Sequence, residues 1–416
     1  MAHPIIPVVV LTVVFIFIAV RQSGTIRLEI WQIMLLGALA VLLTKSISVQ
    51  SAYRAIDAHV LLFLFGMFVI GRALEESGEV EHISSMIFRQ VRSVDALIVR
   101  ILLFMGFASA FFMNDTIAII GTPLMLLLAK KHGIQPRVLL LTLAFAITTG
   151  SVMSPIGNPQ NFLIALHGNV PNPFLTFFKY LFLPTILNLF AAYFVIKTVY
   201  RDELHPRRLH HVDEPVRDKK LAALSRYSLV LVIVLALLKT VTGRWEPSWN
   251  FDLSLIALVG ALPILIFSSK RFELMKSIDW TTLVFFAAMF VLMKSVWLTG
   301  FFQRFIGTTG SGITTIHSVL GISVLLSQLI SNVPMVALYL PVLLHAAAPV
   351  RAFIALAAGS TVAGNLLILG AASNIIIIQT SEKRSGRSIT FFEFAKAGIP
   401  LTIMNVAVYW FFLKIV

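Results

Sequence analysis

Apolar runs of about 16–20 residues recur along the whole 416-residue chain, separated by short polar or charged segments. That is the length a helix needs to cross the hydrocarbon core of a bilayer. The pattern predicts spans near 5–20, 28–45, 58–77, 137–167 and 174–200, then near 226–242, 250–268, 280–299, 351–379 and 397–415. Two broken apolar pairs interrupt the series, 95–112 with 116–129 and 314–330 with 334–348, each readable as a re-entrant hairpin. Within apolar surroundings, helix breaks at 113–116, 154–161, 331–334 and 370–374. The fold expected is an all-α polytopic membrane protein.

The polar punctuation is written twice. Residues 57–78, "DAHVLLFLFGMFVIGRALEESG", align without gaps on 279–300, "DWTTLVFFAAMFVLMKSVWLTG", bringing Asp57 onto Asp279, Arg72 onto Lys294 and Gly78 onto Gly300. Asn114 stands nine residues before Pro123, and Asn332 nine before Pro341. Gly157 precedes Asn161 by four residues, as Gly370 precedes Asn374, and the offset drifts only from 222 to 213. A first repeat over 1–200 would hold its hairpin at about 95–129 and its broken helix at about 137–167. After a linker at 201–224, a second repeat over 225–416 would hold a hairpin at about 314–348 and a broken helix at about 351–379. Five crossings plus one hairpin per repeat is an odd number, so the second repeat would be inverted relative to the first. Reading each hairpin as two full spans gives fourteen crossings instead.

Composition narrows the class. The chain is 58% hydrophobic and 12% charged, against about half and a quarter in soluble domains, which excludes a water-soluble enzyme. The net charge of +14 sits in short segments between apolar runs, which fits the positive-inside bias and not a nucleic-acid face. The segment 201–220 carries six Lys/Arg and is placed in the cytoplasm. Arg21, Arg27, Lys130, Lys131, Arg137, Lys270, Arg271, Lys276, Lys383, Arg384 and Arg387 then fall on the same side. Lys45, Arg54, Arg244, Arg304 and Arg351 face the other, and both termini are extracytoplasmic. His205, His210 and His211 read as part of a solvated linker. The absence of Cys excludes disulfides, thiolate metal sites and Cys nucleophiles. No P-loop, HExxH pattern or Ser/His/Asp arrangement is present, so neither catalysis nor ATP hydrolysis is expected within this chain.

Candidate chemistry lies at the breaks, because unpaired backbone at membrane depth survives only when buried in protein or lining a water cavity. Free N–H groups at half-helix N-termini attract anions, and free C=O groups attract Na⁺. The hairpin tips supply Asn114, Asp115 and Thr116 in one half and Ser331 and Asn332 in the other. The broken helices supply Ser154, Gly157, Asn158, Gln160 and Asn161, and then Gly370, Ser373 and Asn374. Thr148, Thr149, Thr361 and Asn365 precede the breaks and are placed along the same cavity. Asp115 is the lone carboxylate of its hairpin, with Val333 in the equivalent place. It either takes part in coupling, by binding Na⁺ or carrying a proton, or simply caps the second helix. Arg72 and Lys294 read as span-end residues snorkelling to the interface, with Glu75 and Glu76 beside Arg72 at the cytoplasmic rim.

"FFMNDTIAIIGTPLMLLLAKK", "SPIGNPQNFLIA", "SNVPMVALYLPVLL" and "SITFFEFAKAGIPLTIMN" resemble the ion transporter superfamily over nearly the whole chain. That superfamily includes the arsenite-pump membrane subunits, the NhaD-type sodium/proton antiporters, and the citrate and divalent-anion/sodium symporters. The "SPIGNPQN" form resembles an anion-permease branch near the arsenite pumps. The resemblance implies a scaffold and a transport domain, hairpin tips meeting at midplane, elevator-type movement, a homodimer and, in the arsenite-pump branch, a soluble ATPase subunit. It carries sodium-site roles onto Asn114, Gly157, Asn332 and Gly370. The dicarboxylate symporters have Ser-Asn-Thr at both tips where this chain has Met-Asn-Asp and Ser-Asn-Val. The function expected is secondary transport of a small anion or oxyanion coupled to Na⁺ or H⁺, in a prokaryotic inner membrane and without other cofactors. A cation/proton antiporter on the same fold, an arsenite efflux permease, an intramembrane enzyme and a channel are the competing readings. The hairpin topology makes one direct prediction: a reporter fused after Lys131 signals a cytoplasmic location, and an external signal overturns it.

Overall fold

The structure, a computed structural model, describes residues 5–21, 28–79, 82, 91, 93–204, 216–245, 252–301, 310–385 and 389–415. The linker histidines His205, His210 and His211 lie outside these residues, as do Arg27, Arg304 and Arg387. The helices in the first half are α1 (Ile6–Arg21), α2 (Ile30–Leu43), α3 (Val49–Ala55), α4 (Ala58–Ser77), α5 (Val94–Phe112), α6 (Asn114–His132), α7 (Pro136–Ser151), α8 (Pro159–His167) and α9 (Pro173–Val199). The second half has α10 (Lys219–Trp245), α11 (Leu253–Phe267), α12 (Arg271–Ser277), α13 (Trp280–Leu298), α14 (Ile316–Ile330), α15 (Asn332–His345), α16 (Val350–Val362), α17 (Ala372–Ser385) and α18 (Phe391–Ile415). No strand occurs among the described residues.

Six of these helices, α4, α5, α9, α10, α13 and α18, are long and apolar enough to cross a membrane. Their ends follow from local chemistry. Asp57 accepts the Val60 N–H at 3.1 Å to start α4, Asp279 accepts that of Thr282 at 3.0 Å to start α13, and Ser93 that of Ala96 at 3.2 Å to start α5. The short helices α3 and α12 are not visible in the apolar pattern, because seven mixed residues carry no span-length signal. Their starts, Val49 and Arg271, are 222 positions apart (271 − 49), the offset that relates Asp57 to Asp279.

Helix contacts are close where side chains are small. A Cβ on Gly150 would lie 2.1 Å from the Gly106 carbonyl oxygen, so α7 and α5 cross with their backbones touching. Buried Thr185 on α9 shares a 2.7 Å hydrogen bond with the Tyr409 hydroxyl on α18. The half-helix after each break leaves its own hairpin and packs on the other one: α8 against α15, and α17 against α6. The two halves are thereby interlocked at their centres.

The polar edges are tied by ion pairs. Arg72 bonds Glu75 (2.5 Å), Glu76 (2.6 Å) and Ser277 Oγ (2.9 Å), linking α4 to α12. Arg226 holds the buried Glu79 through two bonds of 2.6 and 2.9 Å. Arg137, at the start of α7, grips Glu203 through two bonds (2.7 and 3.0 Å) and also bonds Glu393 at the start of α18. Asp218, just before α10, accepts the Leu221 N–H at 3.0 Å and is reached by Lys270 at 3.1 Å. The Leu221 bond, then Lys270, hold its carboxyl below the usual range against a smaller opposing push from burial. A depressed carboxylate contributes stability that is complete above its unfolded value and is lost as pH falls through the folded one. Asp218→Ala removes both the cap and the ion pair, and should lower stability by about 1 kcal/mol at neutral pH, most of it from the cap. In thermal unfolding, the gap to wild type should narrow in high salt and narrow further as pH falls below the ordinary Asp range. A gap that widens in acid would contradict this account.

Candidate functional site

Both hairpins turn on a non-glycine residue with positive φ. Met113 (φ 66°) joins α5 to α6 and Ser331 (φ 69°) joins α14 to α15, a conformation costing roughly 1–3 kcal/mol that surrounding structure must offset. At the first tip, the Asn114 N–H donates to the Gly157 carbonyl at 3.0 Å, fastening the turn to the break. Asn114 Oδ1 accepts the Asp115 N–H at 2.9 Å. Asn114 is buried and Asp115 half-buried. Thr116 points elsewhere: its methyl carbon lies 2.6 Å from where a Cβ on Gly71 would sit, so it packs on α4.

The first break closes on itself through amides. Asn161 Nδ2 donates to the carbonyls of Ser151 (3.1 Å), Val152 (3.2 Å) and Ser154 (3.0 Å). Asn158 Oδ1 accepts the Asn161 N–H at 2.8 Å and so caps α8, while its Nδ2 reaches Ser151 Oγ at 3.1 Å. Pro159 follows at the first helical position, where no N–H is needed. Thr361, from the second half, serves as a hub: it accepts from Asn158 (3.3 Å) and Gln160 (3.5 Å) and donates to Asn161 Oδ1 (3.2 Å). Gly157 sits where a Cβ would come 2.4 Å from the Ser151 carbonyl oxygen, so a side chain there would prise the break apart. Ser154 lies away from the tips. It borders an apolar cavity of about 380 Å³ between α5, α9 and α10.

The second break repeats one bond of the first. Asn374 Nδ2 donates to the Gly364 carbonyl at 2.7 Å, ten residues back, just as Asn161 does to Ser151. Gly370 is crowded like Gly157: a Cβ there would lie 2.4 Å from the Ala363 carbonyl oxygen. Here, however, the polar groups are under-used. Asn332 Oδ1, Ser373 Oγ, Asn374 Oδ1, Gln328 Oε1 and Thr148 Oγ1 are buried with no hydrogen-bond partner among the described residues. All five are oxygens, those of Ser373 and Thr148 being hydroxyls that can also donate, and an orphaned buried oxygen invites a cation or a hydroxyl-bearing molecule.

The tips converge on one cavity of about 270 Å³. Asn114, Asp115, Ser331, Asn332 and Val333 line it, together with the first residues of α8 (Pro159, Gln160) and of α17 with its preceding Ala371 (Ala372, Ile375, Ile376). The remaining wall is Glu29, Trp31, Asp279, Thr281, Thr282, Phe285 and Phe286. Asp279 is held by the Thr282 N–H and by the hydroxyls of Thr281 and Thr282, both at 2.5 Å, and Trp31 Nε1 donates to Glu29 at 2.7 Å. Among the described residues the charged lining therefore consists of three carboxylates, Glu29, Asp115 and Asp279, without a Lys or Arg. Four helix N-termini, those of α6, α8, α15 and α17, meet at the cavity and add partial positive charge, worth about 0.3–2 kcal/mol each toward an anion.

Of the residues expected at the site, Asn114, Asp115, Gln160, Ser331 and Asn332 meet in this cavity. Gly157, Asn158 and Asn161 build the first break, and Gly370, Ser373 and Asn374 the second; none of these six lines the cavity. Glu29, Trp31, Asp279 and its threonines join the lining without having been expected there. In the sequence Asp279 is visible only as a register mark of the repeat, and Glu29 carries no pattern because it stands singly at the start of the span placed at 28–45.

Comparison with known proteins supplies the broader class. The family described as citrate transporter, CitMHS, matches residues 12–352. An uncharacterized transporter of Mycobacterium tuberculosis is 27% identical, with 92% of each chain covered. The silicon efflux transporter LSI3 of Oryza sativa subsp. japonica is 26% identical over 90% of each chain. The crystal structure of the YdaH transporter of Alcanivorax borkumensis superposes with a TM-score of 0.58 at 16% identity, covering 87% of this chain and 85% of that one.

The two breaks should differ in sensitivity. Asn161→Ala removes the two N–H groups shared among three buried carbonyls, of which that of Ser151 keeps the Ser154 N–H, so a loss of about 2–4 kcal/mol is expected. Asn374→Ala removes one such donor and should cost about 1–2 kcal/mol. Equal melting temperatures for the two purified variants would contradict this ranking.

Proposed function

The chain belongs to the citrate transporter family, CitMHS, and on that footing we propose that it is a secondary active transporter for a small oxyacid, coupled to H⁺ or Na⁺ through Asp115. The observation that carries this reading is the charge of the cavity where both tips meet: among the described residues, three carboxylates and no Lys or Arg. A bare anion about 4 Å from one carboxylate is opposed by roughly 4 kcal/mol at an effective dielectric of 20. The four helix N-termini act against that repulsion. A cargo whose charge is cancelled avoids it altogether, either as the protonated, hydroxyl-rich acid or accompanied by a cation. Hydroxyls of such a molecule match the amides and hydroxyls of Asn114, Gln160, Ser331, Asn332, Thr281 and Thr282. The similarity to a silicon efflux transporter favours the protonated form, and the family's description as citrate transporters favours cargo accompanied by a cation.

Coupling follows from the same residues. Asp115, at a hairpin tip and facing the cavity, takes a proton or Na⁺ with the cargo or in exchange for it. The orphaned oxygens of Asn332, Ser373 and Asn374 favour Na⁺ around the second break. In this reading the two halves are inverted repeats in a plasma membrane, with linker 201–224 cytoplasmic and both termini outside. The tips and breaks move as a body in an elevator-type cycle, within a homodimer.

The test is counterflow in proteoliposomes, varying Na⁺ and pH gradients separately, with silicic acid, arsenite, and citrate with and without Mg²⁺ as cargo. Transport should track the protonated or cation-paired fraction of the cargo, not the free anion. Asp115→Asn should cut gradient-driven accumulation by at least tenfold while leaving the melting temperature near wild type. Wild-type accumulation by Asp115→Asn defeats the coupling role.

A further inference from the structure

The offsets that pair the two halves allow the surroundings of the two broken helices to be compared residue by residue. With 222 between the long helices and 213 between the breaks, Asp57 pairs with Asp279, Phe63 with Phe285, Phe162 with Ile375, and His167 with Thr380. The second set is open: Asp279, Phe285 and Ile375 all line the cavity, and Asp279 is turned onto its own Thr281 and Thr282. The first set is shut. Phe63 on α4 stacks on Phe162 of α8 with centroids 3.8 Å apart and planes 8° from parallel. One helix-length along, His167 Nε2 meets Asp57 Oδ2 at 2.5 Å, closing α8 onto the residue that precedes α4. Both rings are fully buried, whereas the imidazole remains partly exposed.

Resting on the transporter reading above, we propose that Asp57, His167, Phe63 and Phe162 form a closed gate. It is the counterpart of the open mouth at Asp279, Phe285 and Ile375, and must part once in each transport cycle. The chemistry of the two faces differs in a way that fits. His167 stands at the C-terminus of α8, where the helix end favours a cation, and its counterpart Thr380 cannot form an ion pair. Burial pushes the Asp57 carboxyl up, but the bonds from His167 and the Val60 N–H outweigh it and hold the group below the usual range, so it carries a negative charge. The other groups at this edge are committed elsewhere: His59 Nδ1 lies 3.1 Å from Ser254 Oγ and 3.3 Å from Asp252. The latch thus biases the protein toward the state open at Asp279, and its loss shifts the population to the opposite state.

The absence of native Cys makes the test direct. A single Ile375→Cys reports on the open mouth and a single Val60→Cys on the shut face, each read by alkylation rate in membranes without cargo. Adding Asp57→Asn, which keeps the helix cap, or His167→Gln should slow the first rate and speed the second. The expected change is about three- to tenfold in their ratio, the scale of a partly exposed charge-assisted pair. In a separate Phe63→Cys/Phe162→Cys protein, a short thiol-to-thiol cross-linker should block transport reversibly while cargo still raises the melting temperature. An unmoved alkylation ratio in both latch variants, or undiminished transport by the cross-linked protein, overturns the gate. The alkylation assay needs no cargo, so failure there leaves the transporter reading intact. A protein that switches accessibility yet moves none of the panel would overturn the oxyacid-cargo reading alone.

Discussion

A peptide group in hydrocarbon has no water to turn to, so each helix interruption in this chain exists only where side chains take over the backbone's hydrogen bonds. The knot at 151–161 shows the extent of the demand. Three carbonyl groups are met by one amide, Asn161 Nδ2, and the next helix is capped by Asn158. The hairpin tip leans on the same knot through the Asn114 N–H, so the strained Met113 turn is held by the solution to its neighbour's problem. Thr361 completes the network from the other half of the chain, which ties the geometry of one break to the integrity of the other.

The second break solves the same problem with fewer bonds, and the difference carries chemistry. Asn374 reproduces a single contact of Asn161, leaving Asn332, Ser373 and Asn374 with buried oxygens that no donor among the described residues reaches. A buried acceptor without a partner is costly, which sets this break apart from the fully bonded first one. Beside them lies the cavity, lined among the described residues by carboxylates and no Lys or Arg. In the proposed reading that charge favours a protonated acid or a cation-paired anion over a bare anion.

The break and mouth residues also divide labour. Gly157, Gly370, Asn158 and Asn161 hold backbone in place. Asn114, Asp115, Ser331 and Asn332 face the space where a molecule would sit. Asp57 and Asp279 cap equivalent helices with the same bond to the third residue on, yet one closes a salt bridge and the other opens on the cavity. Equivalent sequence in unequal surroundings is what the proposed alternating access requires.

The sequence by itself determined the long apolar helices, their approximate ends and the places where they break, though not the short α3 and α12. Span-length apolar runs, capping residues, Gly and Pro are local signals, and the hydrogen-bond demand of buried backbone makes polar residues in such runs conspicuous. It also picked out five of the cavity-lining residues, because amides and a carboxylate at a hairpin tip are expensive unless used. It could not separate Asn161, consumed within the knot, from Asn332, whose oxygen is free, since both are asparagines at a break. It could not bring Glu29, Trp31 and Asp279 to the tips, nor stack Phe63 on Phe162. Those contacts join residues up to about 300 positions apart, and only the packing of α8 and α17 onto each other's hairpins decides which side chains face a cavity and which are buried against one another.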